Sequence, residues 1–120
     1  MTTNKQDLAV TIVRFVDDGF PGWVECQFAD AEGRVHTIVD KYPMLSSQTL
    51  DADSRYPQPG EIECEVLSRS PDSAGREVVR IRTLGIESTE GLSEFAVTPG
   101  QLSKPRISPP TSNNPKAERT

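Results

Sequence analysis

Hydrophobic and polar residues alternate along several short stretches of this chain, a pattern typical of half-buried β-strands. The first stretch, residues 8–16, is rich in β-branched side chains and stops at the turn-forming residues 17–19. A second stretch covers residues 23–28 and a third covers residues 34–40, with a turn predicted over residues 30–33 between them. The pattern therefore predicts three strands in the first 40 residues.

Pairing the second and third stretches across a four-residue turn predicts their register. The facing residues assigned to the inner side are Phe28 with Val35, Cys26 with Thr37, and Val24 with Val39. The same register predicts that His36 and Ile38 lie on the outer face, opposite Gln27 and Glu25. A slip of one residue would exchange the two faces of a strand, so the alternation is expected to fix the register.

A second hairpin is predicted where residues 61–66 alternate and residues 76–84 return after a turn. Its inner pairs are expected to be Val66 with Val79 and Cys64 with Ile81. On the outer face this register sets Glu65 opposite Arg80 and Glu63 opposite Arg82. Cross-strand pairs of opposite charge typically stabilise a sheet by about 0.2–1 kcal/mol each.

The rest of the chain completes the expected fold class. Residues 41–60 form a connection too long for a tight turn, with room for a short helix over residues 44–53. A short closing strand is expected over residues 92–97. We therefore predict an all-β domain over residues 1–102, a five- to six-stranded antiparallel barrel or curled sheet of OB-like or translation-factor-like type. Residues 103–120 are rich in Pro and Ser, so we expect a disordered tail there.

Charge narrows the expected partners. The chain has 13 Lys and Arg against 18 Asp and Glu, a formal net charge of −5. Residues 1–97 contain 9 of the basic and 17 of the acidic residues, so this part of the chain is acidic. The remaining residues are basic, because they contain one acid, Glu118, and four cations: Lys104, Arg106, Lys116 and Arg119. An acidic body repels phosphate backbones and anionic lipid, so we expect neither a nucleic-acid nor a membrane partner. The beginning of the chain lacks the apolar run of a secretory signal, which leads us to expect a cytoplasmic protein.

Candidate metal and catalytic residues are sparse. Cys26, Cys64 and His36 are zinc-binding residue types, but they have no C-x₂-C spacing and no fourth ligand. We expect both cysteines to pack in the core and His36 to lie on the surface. A calcium loop beginning at Asp51 fails because Ile62 stands where Glu is required. With no nucleophile elbow or phosphate-binding glycine loop, the sequence predicts no catalytic residue, metal or cofactor.

An aromatic segment at residues 20–23, Phe-Pro-Gly-Trp, joins the first two strands and is the most distinctive local feature. Aromatic residues beside proline at a barrel rim are frequent protein-binding surfaces. They more often serve a structural purpose, with Trp23 covering the open barrel end and the tyrosines pinning the loop. The residues assigned to a partner surface are Trp23, Ile38, Tyr42, Tyr56, Glu61, Glu63 and Glu65.

Three classes of function are compatible with these features. The leading hypothesis is a non-catalytic protein-binding module with an acidic surface, and one form of it is an immunity or inhibitor protein that neutralises a basic partner. The alternatives are a small-ligand or enzymatic site at the barrel mouth near residues 41–60, and single-stranded nucleic-acid binding, which the acidic body disfavours. Exposed sheet edges at the first strand or at residues 92–97 would offer pairing sites for a second copy.

Overall fold

A computed structural model describes residues 4–103; the predicted tail from Lys104 onward lies outside the described residues. Six antiparallel strands follow one another along the chain. They are β1 (Lys5–Asp17), β2 (Trp23–Ala29), β3 (Val35–Lys41), β4 (Gln58–Pro71), β5 (Glu77–Thr83) and β6 (Glu94–Val97). Two short 3₁₀ turns, Tyr42–Met44 and Pro99–Gln101, complete the regular structure of the described part.

The strands form one sheet in the order β3-β2-β1-β4-β5-β6, which curls into a half-barrel. The predicted all-β curled sheet is thus confirmed. Strand β1 lies at the centre, pairing with β4 through its first half and with β2 through its second. The expectation of an open edge at the first strand is therefore wrong, since this strand has a neighbour on each side.

Local irregularities in β1 and β4 bend the sheet. The register of β1 against β2 shifts between Ile12 and Arg14 and again between Phe15 and Asp17. In β4 the register against β5 shifts between Val66 and Ser68. An extra residue in one strand of an antiparallel pair bends that strand and increases its twist, which lets a single β1 serve two differently oriented neighbours.

Both hairpins close with the same five-residue turn, Asp-x-x-Gly-Arg, at residues 30–34 and 72–76. In each, one side-chain oxygen of the aspartate accepts hydrogen bonds from the backbone N–H groups of the third and fifth residues, at 2.8–3.0 Å. Gly33 and Gly75 have φ of 86° and 82°, a left-handed conformation that favours glycine. The turn therefore leaves a three-residue loop between paired Asp and Arg.

This turn corrects the predicted register of the first hairpin. The three-residue loop pairs Ala29 with Val35 and Cys26 with Ile38, one residue away from the expected alignment. Because side chains alternate along a strand, a difference of one residue moves the residues predicted for the inner face of β3 to the outer face, and those predicted for the outer face to the inner one. Ile38 and His36 therefore point into the core, and their predicted outward orientation is wrong.

The second hairpin also differs from its predicted register, by two residues. Glu65 lies opposite Arg82 and Val66 opposite Ile81, rather than opposite Arg80 and Val79. A shift of two residues preserves the side-chain faces, so Cys64 and Ile81 are buried as expected. The predicted pairing of Glu63 with Arg82 is wrong, because Arg82 is bonded to Glu65 instead.

The long connection between β3 and β4 packs without a helix beyond the 3₁₀ turn Tyr42–Met44, so the short helix expected over residues 44–53 is absent from this described segment. Leu45 and Leu50 insert into the core instead. The Leu45 carbonyl accepts a hydrogen bond from the Glu61 N–H at 2.9 Å, which satisfies one backbone donor in the part of β4 that has no β5 neighbour.

The two edges of the half-barrel approach each other across a cluster of rings. His36 lies 5.3 Å from Phe28 and 4.8 Å from Phe95, measured between ring centroids. The His36 Nε2 atom is 2.9 Å from Asp30 Oδ2, so the one buried imidazole of the core has a carboxylate partner. We call this group of four residues the seam. The predicted surface position of His36 is therefore wrong, because its ring is buried in the seam and has a structural role there.

Each edge strand is also capped by a backbone hydrogen bond from a neighbouring loop. Thr89 N–H donates to the Thr37 carbonyl on β3, and Ala31 N–H donates to the Ala96 carbonyl on β6, both at 2.8 Å. Such coverage blunts a sheet edge that would otherwise be a template for pairing with another chain.

Candidate interaction surface

Strand direction gathers the three predicted aromatic residues at one end of the sheet. Trp23 begins β2 and Tyr42 directly follows β3, and the Tyr42 N–H donates to the Gly22 carbonyl at 3.0 Å. Tyr56 lies two residues before β4, which begins opposite Ile12 and therefore enters from the side where β1 ends. The aromatic residues predicted to form a rim thus occupy the same end of the half-barrel.

The side chain most exposed at this end is Phe20, with 98% of its surface accessible. It lies in the β1–β2 turn, where Asp17 Oδ1 accepts a hydrogen bond from the Gly19 N–H at 2.7 Å. Phe20 was not among the residues assigned to a surface from the sequence. Its position between Gly19 and Pro21 lies outside the alternation of either strand, so the strand pattern gives no signal for its exposure.

A packed base supports this turn. Gly22 has a φ of 122°, and a Cβ atom at this position would lie 3.2 Å from the Phe15 ring and 3.4 Å from the Tyr42 ring. Phe15 and Tyr42 themselves pack against the hydrophobic core. The chain on one side of Phe20 is therefore fixed by close contact, while the phenyl ring itself projects into solvent. We call Phe20, Trp23 and this base, Phe15 with Tyr42, the aromatic rim.

Charged residues surround the rim. Lys41 lies opposite Trp23 in the register, with its Nζ atom 5.7 Å from the centroid of the Trp23 ring, within the range of a cation–π interaction. Asp17 and Asp18 take part in no ion pair within residues 4–103. The rim therefore combines exposed apolar surface with two carboxylates that have no protein counter-ion in the described part of the chain.

The other predicted surface residues do not all join the rim. Ile38 is fully buried in the core, as the corrected register requires. Tyr56 is half-buried against the core, and its hydroxyl donates to the Asp51 carbonyl at 2.7 Å. Its ring therefore matches the alternative in which a tyrosine pins the long connection.

The predicted acidic row lies on the outer face of β4, away from the rim. Glu65 accepts from Arg82 at 3.4 Å, and Arg82 also bonds Glu94 at 3.2 Å. Glu61 and Glu63 instead line a groove of about 330 Å³ between β4 and the connection that follows Tyr42. The three glutamates therefore divide into one neutralised by arginine and two that face this groove.

Both cysteine thiols are buried in the core, and burial raises their pKa values. Burial, together with the nearby carboxylates of Asp40 and Glu25, raises the pKa of Cys26 to about 12. Burial and the Asp7 carboxylate raise the pKa of Cys64 to about 11. Both cysteines are free, and the described residues contain no group of three metal-ligating side chains. These thiols are protonated at neutral pH and are poor nucleophiles or ligands there.

The Asp30 carboxylate in the seam is the most constrained acid of the described core. Burial alone would raise its pKa, but the hydrogen bond from His36 and two backbone N–H donors outweigh that effect and lower the pKa. An acid of lowered pKa stays ionised and holds its donors, which suits a structural role better than proton transfer.

No protein-family model, curated protein or solved structure matches this chain. The described residues include no helix long and apolar enough to cross a membrane. The functional inference therefore depends on the surface chemistry described above.

Proposed function

We propose that this protein is a non-catalytic protein-binding module that docks through the aromatic rim onto a basic partner protein. The observation that carries the proposal is the near-complete exposure of Phe20 on a packed base. Burying a phenylalanine side chain is worth about 1.5–3 kcal/mol, so an apolar pocket on a partner would gain substantially from this single ring.

The base of the rim places the exposed Phe20 ring beside packed aromatic residues. Gly22 lies close to the rings of Phe15 and Tyr42, which pack on the core, so the chain next to Phe20 and Trp23 is supported by packed residues. Binding energy in protein interfaces concentrates in a few aromatic or arginine residues of this kind. The exposed Phe20 ring beside Trp23 therefore favours a hot spot over a diffuse contact.

Charge supports a basic partner. Asp17 and Asp18 precede Phe20 in the same turn, and the described residues have 9 Lys and Arg against 17 Asp and Glu, a balance of −8. Complementary charge accelerates association and disfavours acidic competitors. An immunity or inhibitor protein that neutralises a basic target is one form of this proposal, motivated by charge and the exposed ring.

The test is a paired substitution in the full chain. Phe20→Ala is compared with Val35→Ala, another exposed apolar residue, which lies at the opposite end of β2 and β3. A partner isolated by affinity capture is purified, and its dissociation constant is measured for each variant by calorimetry. We expect Phe20→Ala to weaken binding at least about tenfold, equivalent to about 1.4 kcal/mol, and Val35→Ala to leave it unchanged.

Neutralising the flanking acids tests the charge component separately. Asp17→Asn combined with Asp18→Asn should slow association and reduce its dependence on salt while leaving the dissociation rate nearly unchanged. A partner that binds wild type and Phe20→Ala with equal affinity would refute the rim as the binding surface.

The groove beside β4 supports a second candidate, a small-ligand site near the long connection. Its volume of about 330 Å³ lies within the range of small-molecule sites. Asp7, Glu61 and Glu63 in its lining favour a cationic ligand over an anionic one. A screen of amines and guanidines, followed by amide chemical shifts, separates this candidate from binding at the aromatic rim, because a groove ligand should shift the signals of Glu61 and Glu63 and leave those of Phe20 and Trp23 in place.

A further inference from the structure

The turn between β1 and β2 contains Asp18 followed by Gly19, the one place in the sequence where a glycine comes directly after an aspartate. In such a pair the backbone nitrogen of the glycine can attack the Cγ atom of the aspartate side chain and close a five-membered ring. A glycine has no Cβ atom, so it hinders this attack less than any other residue and adopts the required backbone conformation readily. The turn that carries Phe20 therefore contains a candidate for modification of its own backbone.

The Asp18 side chain is exposed, and its carboxylate has no hydrogen-bond or ion-pair partner within residues 4–103. In the two Asp-x-x-Gly-Arg turns the carboxylates of Asp30 and Asp72 are engaged instead, because each accepts hydrogen bonds from the backbone N–H groups two and four residues further on. Such bonds fix a carboxylate in one orientation. The Asp18 side chain is free to rotate and bring its Cγ atom to the Gly19 nitrogen.

The Gly19 nitrogen already has a proton acceptor. Its N–H donates to Asp17 Oδ1 at 2.7 Å, and Asp17 is itself held at the end of β1 by its pairing with Trp23. A hydrogen bond along an N–H bond lies in the plane of the peptide group, so both faces of the nitrogen stay open for bond formation. A carboxylate within hydrogen-bond distance of the proton to be removed has the geometry of a general base.

We propose that Asp18–Gly19 is a site of spontaneous backbone modification in which Asp17 is the proton acceptor. The Gly19 nitrogen forms a bond to Cγ of the protonated Asp18 carboxyl, and the Cγ–OH bond breaks. The proton of the nitrogen passes through Asp17 to the leaving hydroxyl, which departs as water. One water then opens the succinimide ring: attack at Cγ restores aspartate, and attack at the backbone carbonyl carbon gives isoaspartate. The sequence of steps uses no oxidant, reductant or other reagent.

Isoaspartate makes the main chain of this turn one methylene longer. The added atom lies between the end of β1 and Phe20, whereas Gly22 on the other side of Phe20 stays close to the packed rings of Phe15 and Tyr42. The modification therefore displaces the Phe20 ring relative to the base of the aromatic rim. Its effect on a partner rests on the proposed function, but the ring closure itself does not.

The test needs no partner. The full chain and the variants Asp17→Asn, Asp18→Glu and Gly19→Ala are held at body temperature near neutral pH and digested at intervals. Mass spectrometry detects the succinimide as a peptide one water lighter, and backbone fragmentation distinguishes isoaspartate from aspartate. Circular dichroism and urea midpoints report whether each variant is folded. Asp18→Glu keeps the charge of the turn but should form no such product, because its side chain cannot close a five-membered ring.

Asp53 gives a reference rate in the same samples. Its carboxylate likewise has no partner within residues 4–103, but the next residue, Ser54, carries a side chain and donates its N–H to the Asp51 carbonyl at 3.1 Å. The two sites therefore share a free carboxylate and differ in the nitrogen that attacks it.

We expect Asp18 to be modified at least about tenfold faster than Asp53, and Gly19→Ala to lose most of that difference because its Cβ atom hinders the attack. Asp17→Asn should slow the reaction several-fold in the folded protein and leave the rate in urea unchanged, since Asp17 is held against the Gly19 N–H only in the folded turn. Equal rates at Asp18 and Asp53 would overturn the proposal. A folded Asp17→Asn variant that reacts as fast as the wild type would overturn it as well.

Discussion

Replacing Ile38 by alanine tests the register that determines the faces of β3. Ile38 is fully buried beside Cys26, whereas its neighbour Val39 is 36% exposed on the outer face. Truncation to alanine is therefore expected to cost much more stability at Ile38 than at the neighbouring Val39, and Val39→Ala serves as the matched control.

The expected costs follow from these environments. Truncating a fully buried isoleucine to alanine removes buried surface and leaves a cavity, which costs about 2–5 kcal/mol in the free energy of unfolding. Removing the partly exposed methyl groups of Val39 should cost less than about 1 kcal/mol. In a domain of this size, 1 kcal/mol corresponds to about 4–8 °C in Tm, so Ile38→Ala should lower Tm by at least about 8 °C.

Urea unfolding followed by circular dichroism measures both costs, with thermal scans as a second readout. If Ile38→Ala does not fold, Ile38→Val supplies a milder truncation with an expected cost of about 0.5–1.5 kcal/mol. A larger cost for Val39→Ala than for the Ile38 variant would refute the register. It would also return His36 to the surface and remove the seam.

Three further predictions concern the core. The pKa of Asp30 lies below its ordinary value of 3.8, so the stability that this carboxylate contributes is fully present above that value and is lost as the pH falls through the folded-state pKa. The urea midpoint of Asp30→Asn should therefore depend less on pH in the acid range than that of the wild type. Cys26 and Cys64, with pKa values raised to about 12 and 11, should resist a thiol reagent at neutral pH in the native protein and react at once in urea, and a fast-reacting native thiol would contradict their burial. Gly60→Ala should cost about 1–3 kcal/mol, because the new Cβ would lie 2.7 Å from Ile12 Cδ1 and 2.9 Å from a backbone oxygen; an unchanged urea midpoint would contradict that contact.

The existence of the strands could be predicted from the sequence, but the register of the first hairpin could not be predicted from alternation alone. Residues 35–41 alternate plausibly in both phases, because Val35, Thr37 and Val39 are as compatible with a sheet interior as His36 and Ile38. The turn decides between them. Recognising the same Asp-x-x-Gly-Arg pattern in both hairpins would have fixed the three-residue loop and with it the faces of β3.

In the second hairpin the inner and outer faces are as predicted, because two differences from the predicted register offset each other. Its turn pairs Asp72 with Arg76, which by itself would reverse the faces expected along β4. The extra residue at Leu67 then shifts the register by one and restores them at Val66 and Cys64. The adjacent apolar residues Val66 and Leu67 break the alternation and are the sequence signal of this bulge.

The candidate site was predictable only in part. Strand direction alone brings Trp23 and Tyr42 to one end of an antiparallel sheet, so their association follows from the hairpin pattern. The exposure of Phe20 depends on how its turn leaves the sheet, which short-range patterns do not determine. The groove beside Glu61 depends on the path of a long connection whose buried residues, Leu45 and Leu50, follow no regular period.

The central position of β1 has a consequence for synthesis on the ribosome. The β4 partner of Lys5–Ile12, the segment Gln58–Glu65, is made about 50 residues after it. At translation rates of about 5–20 residues per second, this segment waits roughly 3–10 s for its partner. The β2–β3 hairpin can form within that interval, because hairpins close in about 1–10 µs. The first half of β1 is therefore made well before the β4 strand that encloses it, and it stays exposed to chaperones during this interval.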